Sequence, residues 1–159
     1  MLDKKEMLIL ANLRKNARET LTAISKKTSI PISTIFEKIK NYETNLIKKH
    51  TTLIDFTKLG FNTRATILIK VAKDYKEKLR EHLLINKSLN NVYKINNGYD
   101  FMLEGIFKEI KDVESFLDKL ENDFGVTDRY VYYIMDEIKR EDFLSSPEYI
   151  NITNKSNNI

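Results

Sequence analysis

Residues Ile24 to Glu43 read ISKKTSIPISTIFEKIKNYE. The stretch starts inside one amphipathic helix, turns through Ser29, Ile30 and Pro31, and resumes as another. Proline is tolerated at or just before a helix start because no intrahelical N–H bond is lost there. Beyond it, Ile35, Ile39, Tyr42 and Leu46 recur at helical spacing as a core stripe. The opposite face carries Ser33, Glu37, Lys38, Lys40 and Asn41.

Upstream, Thr20 suits the N-cap of the helix that carries Leu21 and Ile24, and Lys26 and Lys27 in its last turn suit the helix dipole. An earlier segment, LDKKEMLILANLRKNA, begins with Asp3 and Glu6 in capping-box spacing. Leu2, Met7, Leu10 and Leu13, with Ile9 close by, form its apolar stripe, and Asn16 ends it. Three short helices with a tight second turn match a helix-turn-helix. In such a unit the start of the last helix reaches base edges, where Ser33 and Thr34 are small and polar. Lys38, Lys40, Lys48 and Lys49 are candidates to neutralise phosphates, beside Glu37 and Asn41. The plainer alternative is a three-helix bundle with a solvated basic face.

Charge is distributed unevenly. Residues 1–50 hold eleven Lys and Arg against five Asp and Glu, whereas the remaining residues hold sixteen against eighteen. A basic front on an acidic back fits a polyanion partner. A genome that writes Lys and Asn freely is the competing explanation. The chain has 159 residues, enough for one ordinary domain or two small ones. It has no cysteine, which excludes disulfides, thiolate metal sites and a cysteine nucleophile. No leader peptide and no membrane span are expected, and a cytoplasmic location fits.

From residue 63 the pattern changes. TRATILIKVA alternates, with Ala65, Ile67, Ile69 and Val71 on one face and Thr66, Leu68 and Lys70 on the other. DYKEKLREHLLI reads as a helix, NNVYKIN as a strand, NNG as a turn and YDFMLEGIF as another strand. KEIKDVESFLDKLENDFG is a helix with Ile110, Val113, Phe116, Leu117, Leu120 and Phe124 inward and Gly125 as its stop. TDRYVYYIMDEIKR reads as the last strand. The order is βαββαβ, a ferredoxin-like sandwich with helices on one face of an antiparallel sheet. The other face would show Leu68, Met102, Ile106, Tyr130, Tyr132 and Ile134. That set is too apolar for open water, so a partner sheet is expected, most simply from a second copy; the alternative is cover by the domain's own loops.

The stretches LTAISKKTSIPISTIFEKIKNYE and LIKKHTTLIDFTKLGF resemble the Lrp/AsnC transcription regulators, also called feast/famine regulators, especially archaeal ones. NNGYDFMLEGIFKEIKDVESFLDKL resembles the assembly and effector domain of that family. The resemblance implies an α+β chain: a winged helix-turn-helix over 1–54, with 46–54 as a strand leading out of it, a linker over 55–62 and a ferredoxin-like dimerisation and effector domain over 63–142. Residues 143–159 would follow as a loose polar tail. It implies double-stranded DNA as partner, a homo-oligomer (a dimer or an octamer) and an amino-acid effector between subunits. The effector site carries over to Gly98, Tyr99 and Asp100, although Asp100 reads equally as a turn residue bonding its own backbone. Asn45 stands where the family usually has a glycine, and Asn97 does so in the effector loop.

No cofactor, metal or catalytic constellation emerges. His50 and His82 lie outside any ligand-spaced motif and read as structural residues. Sirohaem decarboxylases share this two-domain architecture, so an enzyme on the same fold is one alternative. His82, Arg64, Arg80 and Arg129 would be its basic groups. A non-specific DNA-bridging protein using the same lysines is another.

Overall fold

The computed structural model describes residues 2–149. The chain falls into two compact units: Met1–Thr52 together with the segment from Ile138 onward, and Leu53–Glu137.

The first unit contains α1 (Lys4–Lys15), α2 (Leu21–Thr28) and α3 (Ile32–Asn45). Asp3 accepts the Glu6 N–H while Glu6 accepts the Asp3 N–H, completing the capping box of α1. Thr20 caps α2 by accepting the Ala23 N–H. Ile9, Ile24, Ile30, Ile35 and Tyr42 form the core, with Leu2, Leu10, Leu13, Leu21, Ile39 and Ile47 packed around it. Ile9, not the flanking leucines, is thus the buried centre of α1. The α3 stripe ends one turn earlier than its spacing suggests: Leu46 is exposed and Ile47 packs inward instead. The cause is the helix end, where the Leu46 and Ile47 N–H groups both donate to the Tyr42 carbonyl at 2.8 and 2.6 Å.

The wing strand expected over 46–54 is absent among the described residues. Lys48, Lys49, His50, Thr51 and Thr52 are all exposed, and the three helices offer no sheet edge to pair with. Asn45 keeps helical geometry and donates to Asn41 rather than making a left-handed turn.

The segment after the sheet also departs from expectation. The Arg14 guanidinium donates to the Phe143 and Glu141 carbonyls and to the Glu141 carboxylate at 3.0–3.2 Å. A 3₁₀ turn spans Pro147–Tyr149. The chain is therefore tied to α1 at Glu141 and Phe143, while residues 150–159 of the expected tail lie outside the described residues.

The second unit contains β1 (Thr63–Val71), α4 (Lys76–Ile85), β2 (Leu89–Lys94), β3 (Phe101–Phe107), α5 (Ile110–Phe124) and β4 (Val126–Tyr133). A 3₁₀ turn at Phe56–Leu59, capped by Asp55 and closed by left-handed Gly60, precedes β1 within it. The sheet is antiparallel, in the order β2-β3-β1-β4. This is the ferredoxin-like arrangement. The inward residues Ala65, Ile67, Ile69, Val71, Phe101, Leu103, Phe107 and Val126 meet Leu79, Leu83, Val113, Leu117 and Leu120 of the helices. Alternation in β1 and β3 is strict, as a sheet covered on one face requires. Ile110 is exposed because it is the first residue of α5. The last strand stops at Tyr133 rather than running to residue 140. β1 begins at Thr63, and the Ile134 N–H donating to the Arg64 carbonyl at 2.9 Å is the final bond its edge can offer.

Candidate nucleic-acid interface and assembly face

The corner between α2 and α3 is built from local chemistry. Ser29 takes the left-handed conformation, φ 57°, and its N–H closes α2 on the Ser25 carbonyl. The Ser25 hydroxyl donates to the Ile30 carbonyl at 2.6 Å, and Ile30 is buried beneath the turn. Pro31 then sets the extended backbone from which α3 starts. The corner cannot slide, because Ile30 and Ile35 on either side of it both sit in the core.

That anchoring leaves Ser33, Thr34, Glu37, Lys40 and Asn41 exposed along α3, and Lys48 and Lys49 exposed after it. Lys38 differs from this set. Its ammonium lies 2.6 Å from the Glu6 carboxylate of the capping box. The bond from Lys38, aided by the Asp3 N–H, holds the Glu6 carboxyl below the usual carboxylate range. Glu6 in turn raises the Lys38 ammonium above its ordinary value. Lys38 therefore pins α3 to α1 in the free protein, while its side chain stays 42% exposed. Two further exposed residues on α3, Ile32 and Phe36, were not singled out from the sequence because apolar residues near a helix start read as core.

On the sheet, one row across four strands places Tyr93, Met102, Leu68 and Tyr130 side by side. The neighbouring row holds Glu104, Thr66 and Tyr132, and the next Ile106 and Arg64. Tyr130 and Tyr132 stack at 6.5 Å between ring centroids and are 55% and 54% exposed. The expected face of Leu68, Met102, Ile106, Tyr130, Tyr132 and Ile134 thus lies on one side of the sheet, with Tyr130, Tyr132 and Ile134 exposed and Leu68, Met102 and Ile106 half-buried. Tyr93 belongs to it as well, opposite Met102; β2 lacks the apolar alternation that would show its face in sequence.

The hairpin between β2 and β3 turns at Asn97 and Gly98, φ 65° and 95°, the pair of positive values a two-residue primed turn needs. The Tyr99 hydroxyl donates to Asp128 at 3.3 Å, and its ring meets Tyr130 edge-on at 5.9 Å. Burial, followed by the charge of Asp128, pushes the Tyr99 phenol up. Asp100 is engaged elsewhere. Its carboxylate accepts the Val71 N–H at 2.9 Å and the Lys76 ammonium at 2.6 Å, and its own N–H donates to the Ile69 carbonyl. Partial burial would raise this carboxyl, but the bonds from Lys76 and Val71 outweigh it and hold it below the usual range. Asp100 thus braces the end of β1, the start of α4 and the hairpin, with both carboxylate oxygens already taken.

The basic groups weighed for an enzyme are dispersed. Arg64 pairs with Glu137, Arg80 with Glu77, and Arg129 with Glu114 and Glu121. His82 stacks on Phe124 at 4.2 Å, and burial lowers its pKa, with Lys119 adding to the effect. His50 lies 3.3 Å from Glu43.

Residues 64–143 match the family model of the Lrp/AsnC ligand binding domain. An HTH-type transcriptional regulator of Pyrococcus abyssi, FL11, is 30% identical over 135 residues, covering 84% of this chain and 89% of that protein. The chain belongs to the Lrp/AsnC family. The transcriptional regulator AzlB of Bacillus subtilis is 31% identical over 121 residues, covering 74% of this chain and 77% of AzlB. Among solved structures, a Neisseria meningitidis transcriptional regulator in complex with L-Met superposes with a TM-score of 0.81 at 22% identity, covering 88% and 94% of the two chains. LrpC of B. subtilis follows at 0.79 and 21%, covering 87% and 98%. These two share the fold. Its curated relatives make this Lrp/AsnC chain a transcription regulator and not an enzyme. Regulators of the family bind DNA and assemble as oligomers, and the matched region is the family's ligand-binding domain. Among the described residues, no helix is long and apolar enough to cross a membrane.

Proposed function

We propose that this Lrp/AsnC protein is a sequence-specific regulator that grips double-stranded DNA as a homodimer, or as an octamer assembled from dimers. The observation that carries the reading is the exposed polar and basic face of α3 behind the anchored Ser29–Pro31 corner. Ser33 and Thr34 at the start of α3, with Glu37 and Asn41 further along, would meet base edges in the major groove. Lys40, Lys48 and Lys49 would contact phosphates and give the affinity its salt dependence. The row of Tyr93, Met102, Leu68 and Tyr130, with Ile106, Tyr132 and Ile134 beside it, would pack on the same face of a second copy. Near that interface, Gly98 and Tyr99 are the residues best placed to touch a small effector such as an amino acid. Any such effector must bind two assembly states unequally in order to act.

Selection of bound duplexes from a random pool at physiological salt tests this. A two-fold motif with half-sites about ten base pairs apart is the expected result. Binding without any enriched motif would replace the reading with that of a DNA-bridging architectural protein.

A further inference from the structure

We propose that Phe36, with Ile32 one turn before it, is a specificity-determining residue that reads the 5-methyl group of thymine. The inference rests on the DNA-binding reading above and deepens it. Phe36 is 53% exposed and Ile32 45%. Neither belongs to the cluster that forms the core of the first unit, so about half of each side chain's apolar surface is left open to a partner.

Ile32, Phe36 and Lys40 stand four residues apart, which places them in one line along α3: apolar, aromatic, then cationic. Ser33 and Glu37, the neighbours of Ile32 and Phe36 in sequence, are polar and exposed. A protein partner's interface core is depleted in charge. This line ends instead in an ammonium and runs beside a polar face, as suits a groove with phosphates along its rim. The two apolar side chains occupy the first two turns of α3, the part of a recognition helix that reaches base edges. In the major groove the one apolar feature of the four bases is the methyl of thymine, and Phe is among the side chains that pack against it. Burying Phe36 against a hydrogen-bonding base edge would strand a donor or acceptor; burying it against a methyl strands none.

The test takes the motif recovered by selection and replaces each thymine by deoxyuridine, one position at a time, which removes the methyl and leaves base pairing unchanged. Binding is measured for the full-length protein and for Phe36→Ala and Lys40→Ala. Wild type should lose about fourfold at one thymine per half-site, the worth of one buried methyl-sized group. Phe36→Ala should bind thymine and deoxyuridine duplexes equally at that position. Lys40→Ala should bind both more weakly while preserving the fourfold ratio. A motif without an A·T pair in the half-site, a wild type indifferent to every deoxyuridine, or a penalty that persists in Phe36→Ala would each overturn the proposal and leave the DNA-reading function standing. Failure of the wild type to select any motif would overturn both. Because Phe36 lies outside the core, its variant should melt with wild type, and circular dichroism checks this.

Discussion

Helix α3 and the open face of the sheet both present apolar side chains to solvent, in different company. On α3, Ile32 and Phe36 sit among Ser33, Glu37 and Lys40. On the sheet, Tyr93, Met102, Leu68 and Tyr130 form a continuous row, and charge enters in the rows beyond it, at Glu104 and Arg64 on one side and at Lys70 and Asp128 on the other. A lone apolar pair set among polar and charged side chains and ending in an ammonium suits a partner that is itself mostly charged. A broad aromatic row suits another apolar surface, and a second copy of the same face is self-complementary by symmetry. Exposure alone would have assigned the two surfaces the same role; what separates them is the chemistry at their edges.

The comparison breaks most visibly at the sheet. Replacing both Tyr132 and Ile134 by Asp should weaken self-association by about 100-fold or more, because each copy would bury unpaired charge. Light scattering would then report a lower mass than wild type, half of it if the wild type is a dimer, and an unchanged mass would remove the sheet from the assembly. The first unit should meanwhile keep its helical circular dichroism.

Core substitutions sharpen the contrast between residues that fold the units and residues that face partners. Ile35→Ala, fully buried under the corner, should cost about 3 kcal/mol in urea unfolding. Phe36→Ala, its neighbour in sequence, should cost almost nothing. A smaller effect, about 1 kcal/mol, is expected for Thr20→Ala, which frees the Ala23 N–H at the start of α2.

The proposed DNA contacts are sharpened by salt. Lys40→Ala should reduce the slope of log affinity against log salt by about 0.9 on every sequence, whereas Ser33→Ala and Thr34→Ala should leave the slope alone and relax sequence preference. Lys38→Ala provides the contrast: because its ammonium is bound by Glu6, its loss should act on the stability of the first unit and leave the salt slope nearly unchanged.

The smallest effect concerns acid. Asp100 is held below its usual range in the folded chain. Its contribution is therefore complete above the unfolded value of about 3.9 and is lost as pH falls through the lower folded value. Asp100→Asn should destabilise by roughly 1 kcal/mol or less at pH 7 and become equal to wild type in strong acid, as read by urea unfolding across pH. A difference that does not narrow in acid would mean that Asp100 acts through shape and not through charge.

Much of the fold was legible because local chemistry and tertiary packing agree. The Asp3–Glu6 box, the Thr20 cap, the Pro31 start and the Gly125 stop are short-range devices whose partners lie within a few residues, so spacing is enough to find them. Strict alternation in β1 and β3 revealed both faces of the sheet, because one face must be apolar wherever helices cover it. The candidate sites were less legible. Lys38 looks like any solvated lysine until α1 brings Glu6 across 32 positions. Asp100 looks like a turn residue until Val71 and Lys76 fold back onto it. The wing and the end of β4 were misread because strand formation depends on a partner edge, and no sequence window contains its own edge.

By itself, the amino-acid sequence determined where the helices start and stop, which strand faces are apolar and that the first fifty residues are basic. All of these follow from the intrinsic geometry and charge of neighbouring residues. Only the tertiary structure decided which lysines are already bound, that Asp100 braces the hairpin, and that Phe36 stays outside while Ile35 goes in. Those outcomes depend on groups far apart in the chain, which meet only once the core has closed and the remaining surface has been assigned.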